Sequence, residues 1–151
     1  MGLDMFITGK RHLWDMTDES KEFQDKVSSL FSELDDTKVK MVEVEFAYWR
    51  KANAIHNWFV KNVQDGEDDC KETYLEKADV QKLLYVVNEV LRDNTKASEL
   101  LPTSSGFFFG DTSYSENYFN QLEYTKDVLT KLIDKWDTYY KNWGLYYQAS
   151  W

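Results

Sequence analysis

The stretch VKMVEVEFAYW, residues 39–49, constrains the fold more than any other. Val42, Val44 and Phe46 alternate with Glu43 and Glu45. That period of two places the apolar side chains on one face of a strand and the carboxylates on the other. β-Branched residues dominate its start, as a pleated surface favours. A second alternating run, LDMFITGKRHLW at residues 3–14, predicts a first strand, with Gly9 allowing a bend or bulge. In the tail WGLYYQASW, Trp143, Leu145, Tyr147, Ala149 and Trp151 fall on one side of another strand. TYLEK predicts a short strand, and FFF at residues 107–109 a short strand or buried run.

Helical spacing fills the intervals. Thr17 and Asp18 offer an N-cap for a helix whose Phe23, Val27, Leu30, Phe31 and Leu34 share a stripe, with Asp35 and Asp36 closing it. A helix over residues 79–92 turns Val80, Leu83, Leu84, Val87 and Leu91 inward. TKASELL predicts a short helical turn closed by Pro102. Ser113 and Glu116 have the spacing of a capping box for a long last helix, with Tyr118, Leu122, Leu129, Leu132, Ile133, Trp136 and Tyr140 on its apolar face. Strands and helices alternate without repeat or linker. One α+β or α/β domain over residues 1–151 is expected, a small mixed β-sheet with about four helices.

YWRKANAIHNWF, residues 48–59, reads as a helix following the clearest strand. At about 100° per residue, Tyr48, Ala52, Ile55, Phe59 and Val63 share one face, and Trp49, His56 and Val60 flank it. Asn53 lies just beyond, and Arg50 points away. The plainer reading makes the rings core, His56 a hydrogen-bonded core histidine, and Arg50 and Lys51 solvated. The functional reading opens the margin Trp49–Asn53–His56 into a cleft. There Trp49 would stack, Asn53 would read an amide-like or base-like edge, and His56 would meet an anion or move a proton.

The loop QDGEDDC gathers Asp65, Glu67, Asp68 and Asp69 but lacks calcium-loop spacing, so a solvated acidic turn is expected and no metal site. Cys70 is the single cysteine, which excludes an internal disulfide and leaves a buried inert thiol as the expectation. LLPTSSGFFFG fails the phosphate-loop pattern, yet Thr103 and Ser105 offer hydroxyls in a turn that could hold an anion. His12 lies in a small basic strand end with Lys10 and Arg11. No cofactor fingerprint is present.

Charge narrows the partners. Against 18 basic residues stand 27 acidic ones, a net of −9, which disfavours direct nucleic-acid binding and anionic membranes. The same charge suits imitation of a polyanion toward a basic protein. No apolar run has the length of a membrane span, and a cytoplasmic protein is expected. Gly2 stands in the position used for myristoylation, but Phe6 replaces the required hydroxyl residue.

The strings MGLDM, YWRKANAIHNWF, NVQDGEDDC and LLPTSSGFFFG with the nearby DTSY together resemble a family of small proteins encoded by tailed phages and prophages. The segment from Thr17 to Lys40 lies outside them. The resemblance implies a setting, the cytoplasm of an infected or lysogenic bacterium, rather than a mechanism. It draws attention to Arg50, Lys51, Asn53, His56, Asp65, Asp68, Asp69, Thr103, Ser105 and Tyr114 within the matching strings.

In that setting the expected function is a counter-defence binding protein that sequesters a small, anionic, nucleotide-like immune signal. Trp49 or Tyr48 would stack on a base, Arg50, Lys51 and His56 would meet phosphates, and Thr103 and Ser105 would add hydrogen bonds. Arg50 and His56 point to different arcs, a conflict that a site at a homodimer interface would ease. A second expectation is an acidic protein inhibitor of a basic, nucleic-acid-binding bacterial defence protein, such as a CRISPR effector. A third, an enzyme, is a phosphodiesterase-like hydrolase using His56 with a carboxylate or Cys70.

Overall fold

The computed structural model describes residues 2–14, 17–33 and 38–151. Four strands, β1 (Asp4–His12), β2 (Met41–Arg50), β3 (Thr73–Leu75) and β4 (Gly144–Ser150), form one sheet in the order β2-β1-β4-β3. Five α-helices accompany them among the described residues: α1 (Asp18–Ser29), α2 (Asn53–Asn62), α3 (Lys77–Arg92), α4 (Ala97–Leu100) and α5 (Glu116–Lys135). The fold is α+β. The sheet is antiparallel at every pairing, not mixed. Glu43 and Glu45 stand exposed on β2, so one face of the sheet meets water. Parallel sheets are covered on both faces, whereas antiparallel ones tolerate a wet side.

The core lies between the sheet and the helices α2, α3, α4 and α5. Met5 and Ile7 from β1, Ala47 and Trp49 from β2, Leu75 from β3, and Leu145, Tyr147 and Ala149 from β4 are all buried. They meet Ile55 and Phe59 of α2, Val80, Leu83, Val87 and Val90 of α3, and Leu122, Leu129 and Leu132 of α5. Tyr147 stacks on Phe59 with ring centroids 3.9 Å apart. On the wet face, Lys10 sits 5.3 Å above the Tyr146 ring and pairs with Glu72 at 2.6 Å.

The pairing of β1 with β2 explains where the sequence reading of residues 48–59 departs from the structure. The register runs Ile7 to Ala47 and then Thr8 to Glu45, so Phe46 is an extra residue in β2. A bulge of this kind flips the parity of the strand. Val42, Val44 and Phe46 are partly buried before it, and Ala47 and Trp49 are buried after it, leaving Tyr48 exposed. The strand therefore runs on through Tyr48, Trp49 and Arg50, and the helix starts only at Asn53. Lys51 makes the bend between them with φ 58°, and its backbone N–H donates to Leu3 O at 2.7 Å. Tyr48, Trp49, Arg50 and Lys51 thus stand outside the helix expected to carry them.

Other expectations also change. Thr17 caps α1 as anticipated, accepting from the Ser20 N–H at 3.1 Å. The helix stops at Ser29, leaving Leu30 and Phe31 exposed, and the only buried residue in it is Gln24. Leu34, Asp35 and Asp36 lie outside the described residues. Phe107–Phe109 form a turn rather than a strand. Ser113 does not cap α5, whose N-cap is Ser115. Ser113 instead donates to Asp111 through both its N–H and its hydroxyl, which holds the Asp111 carboxyl below its usual pKa. A carboxylate two residues back competes directly with the capping geometry.

Gly9, which pairs with Val44, makes room for the ring of the bulged residue. A Cβ there would lie 2.0 Å from Phe46 Cε2, inside the ring that the extra residue lays across β1. Gly9→Ala is expected to cost about 1–3 kcal/mol by overpacking. Urea unfolding would measure it, and the cost should largely disappear in a Phe46→Ala background, where the ring is gone.

Candidate functional site

His56 is the centre of the most developed site. It sits on the second turn of α2 and is 1% exposed. Its Nδ1 lies 2.7 Å from the Tyr147 hydroxyl on β4, and its Nε2 lies 3.0 Å from Asp68 Oδ2. A carboxylate only accepts, so the ring proton belongs on Nε2. Nδ1 of the neutral ring then accepts from the tyrosine O–H. Asp68 is held from a second side by Trp151, whose Nε1–H donates to Oδ1 at 3.0 Å. The acidic turn is therefore not merely solvated: one of its four carboxylates is built into the fold. Among the described residues no cluster of side chains has the make-up of a metal site.

Burial pushes the Tyr147 hydroxyl well above its ordinary pKa, with the charge of Asp68 and the Cys70 thiol adding to it. Tyr118, buried in α5 and donating to Leu101 O at 2.9 Å, is raised mainly by burial as well. Cys70 adopts φ 59°, and its carbonyl accepts from Gln148 Nε2 at 3.0 Å. Both His56 nitrogens are engaged elsewhere, so no Cys70–His56 pair forms.

The turn Ser104–Phe109 lies across from His56, and the two enclose a cleft of about 460 Å³. That volume falls within the range of about 300–1,000 Å³ usual for ligand sites. One wall is His56, Asn57 and Val60 from α2, and Asp68 and Trp151 close an end. Phe107, Phe108 and Phe109 supply most of the opposite wall. The Phe109 ring meets His56 edge-on at 5.2 Å and approaches Trp151 at 6.3 Å. No lysine or arginine lines the cleft among the described residues.

Asn53 positions this wall rather than facing a ligand. Its Nδ2 donates to Phe109 O at 3.0 Å and Asp111 O at 2.9 Å, and its Oδ1 accepts from the Ser104 N–H at 3.1 Å. Asn57 adds a bond to Pro102 O at 3.3 Å. Thr103 is tied into the same loop through Thr112 O at 2.8 Å, while Ser105 is exposed on the cleft rim. Leu3 joins from the N-terminus, its N–H donating to Phe108 O at 3.2 Å.

The remaining expected residues are elsewhere. Trp49 is 3% exposed and donates to Thr125 Oγ1 at 2.9 Å, bracing β2 against α5, and what it shows of its surface borders a different depression from the cleft. Tyr48 and Arg50 border a separate depression of about 270 Å³ with Gln121 and Tyr124. The Tyr48 hydroxyl bonds to Asp4, and Arg50 lies 3.7 Å from the same carboxylate. Lys51 lays its aliphatic stem beside Gly110. The sequence thus joined two groups that the structure separates. Asn53, His56, Thr103 and Ser105 belong to the cleft or its supporting loop, and Tyr48, Trp49, Arg50 and Lys51 do not line it.

The additions are Asp68, Tyr147, Trp151, Phe107 and Phe108. A signal existed for Tyr147, because a tyrosine among apolar strand positions needs a partner for its hydroxyl, as His56 does for its nitrogens. Comparison with protein-family models, curated proteins and solved structures finds no match to the chain.

Two outcomes follow from this geometry. Asn53→Ala leaves two carbonyls and one N–H without their partner and is expected to cost about 2–4 kcal/mol. Amide exchange should accelerate at Ser104 more than in the sheet. The second concerns alkaline pH. Tyr147 and Tyr118 keep their protons in the folded chain at pH values where the unfolded chain, near its ordinary value of 10.0, has released them. The stabilisation is complete below that value and is lost as pH rises beyond it. Melting temperature should fall steeply above about pH 10, with tyrosinate absorbance from these two rings appearing only on unfolding. Tyr147→Phe should make the fall shallower.

Proposed function

We propose that the protein acts by holding a ligand in the His56–Trp151 cleft, without chemistry on it. The observation that carries this reading is the state of the cleft's polar groups. Both nitrogens of the histidine are bonded internally, and the neighbouring asparagine amide holds the loop. What faces the opening is aromatic surface, the Ser105 rim and the outer edge of one carboxylate. Such a lining stacks and excludes water, and its histidine is held by two internal bonds rather than left open toward the cleft.

In the phage setting that the resemblance implies, this is a stoichiometric counter-defence binder. The nucleotide-like signal remains a candidate occupant for its flat base, which Trp151 and the phenylalanine wall would cover. Its phosphates are poorly served, since Arg50 and Lys51 do not reach the cleft. The acidic-inhibitor reading fits the same cleft with a basic occupant.

The test is a panel of nucleotides and of short basic and acidic peptides, read by melting temperature and by tryptophan fluorescence. Binding is expected from at least one class, with the ligand recovered unchanged by mass spectrometry. A chemically altered ligand, or no response to any class, would overturn the proposal.

A further inference from the structure

We infer that the occupant of the cleft is an arginine side chain presented by a basic segment of a partner protein. The inference rests on the binding reading above and adds the ligand's charge and source.

The faces of aromatic rings carry negative potential and attract cations, and a planar guanidinium stacks on them as well. Phe108 and Trp151 both line the cleft, so a guanidinium entering it would meet aromatic surface. Asp68 is the only acidic residue in the lining among the described residues. Trp151 and His56 each use one of its oxygens, which leaves lone pairs for a further donor. The two bonds also fix the carboxylate before any ligand arrives, so little order is lost on binding. A guanidinium fork would meet that carboxylate while its stem lies along the rings. Among the described residues no lysine or arginine in the lining competes for Asp68.

The source follows from the rim. Phe107 is 95% exposed beside the cleft mouth, its ring edge-on to Phe108 at 4.8 Å. A small cation inside the cleft would leave that ring in water, whereas a protein surface bearing the arginine would cover it. Asp65, Glu67 and Asp69 stand in the same turn as Asp68, and the whole chain carries −9. This field steers basic surfaces toward the mouth and repels acidic ones.

The experiment titrates the full chain with five probes. They are a blocked arginine tripeptide, its neutral citrulline counterpart, a longer arginine-containing basic peptide, tetramethylammonium and adenosine monophosphate. The readout is the amide shifts of Ser105–Phe108 and the indole N–H of Trp151. The arginine tripeptide should bind about tenfold more tightly than the citrulline form, and Asp68→Asn should remove that difference. The asparagine keeps one oxygen to accept from His56 but turns its amide N–H group toward the Trp151 N–H, so the Trp151 indole shift of the free variant checks that this wall stays in place. Phe107→Ala alters a fully exposed side chain and should weaken the longer peptide several-fold while sparing the tripeptide. Equal binding of arginine and citrulline forms overturns the inference, as does Phe107→Ala binding the longer peptide unchanged. Tetramethylammonium binding more tightly than either peptide overturns the protein source. Adenosine monophosphate binding while the arginine probes do not overturns the cation but leaves the cleft as a binding site. Silence from every probe removes both.

Discussion

The fold's corner depends on one buried imidazole. His56 has its two nitrogens satisfied by residues 12 positions downstream and 91 positions downstream. It therefore joins α2 to the last strand and to the acidic turn at once. A neutral ring buried this deeply would otherwise leave two polar atoms unpaired, at a cost of about 1–3 kcal/mol each. Satisfying them recruits Asp68, and Asp68 in turn fixes Trp151. The cleft end is thus a consequence of solving a burial problem, and its aromatic and acidic character comes with the solution.

The opposite wall solves a second problem of the same kind. A loop carrying Ser104 through Phe109 has no ladder to absorb its backbone groups. The Asn53 side chain supplies three hydrogen bonds from the first position of α2, and Leu3 supplies another from the N-terminus. Three of the four strings that carry the phage-family resemblance, those holding His56, Asp68 and Ser105, therefore meet at one place. The fourth, at the N-terminus, braces the same loop.

Much of this architecture was legible in the chain. Period-two alternation marked β1, the start of β2, and β4, and helical spacing marked α3 and α5. What failed was parity and local competition. The bulge at Phe46 moves Trp49 into the core and Tyr48 out of it, and a strand's period gives no warning of an inserted residue unless its partner is known. Gly9 hinted at a bulge, but the irregularity falls on the neighbouring strand, where Phe46 covers the missing Cβ. The helical wheel drawn through residues 48–59 was then rotated onto residues that are not helical. It set Trp49 beside His56 on one margin, whereas the structure puts His56 on the cleft and Trp49 with Arg50 on a separate depression. The capping box failed for a different reason, since Asp111 reaches Ser113 before the helix begins. Asp68 was visible only as one carboxylate among four, and nothing in the spacing singled out the one that meets the histidine.

Charge distribution sharpens the functional reading beyond what the net value allows. An excess of nine acidic residues says that the surface repels polyanions, but it leaves a local basic pocket open. That pocket was the premise of a nucleotide site built from Arg50, Lys51 and His56. The structure ties Arg50 to Asp4, sets Lys51 along Gly110, and holds His56 between a hydroxyl and a carboxylate. Each cationic group the sequence offered is drawn off for a structural reason, and the cleft keeps only Asp68. Local and global charge then have the same sign. Beside the Asp68 carboxylate, the cost of desolvating a phosphate finds no lysine or arginine donor among the described lining residues. The same carboxylate lowers the cost of bringing in a guanidinium.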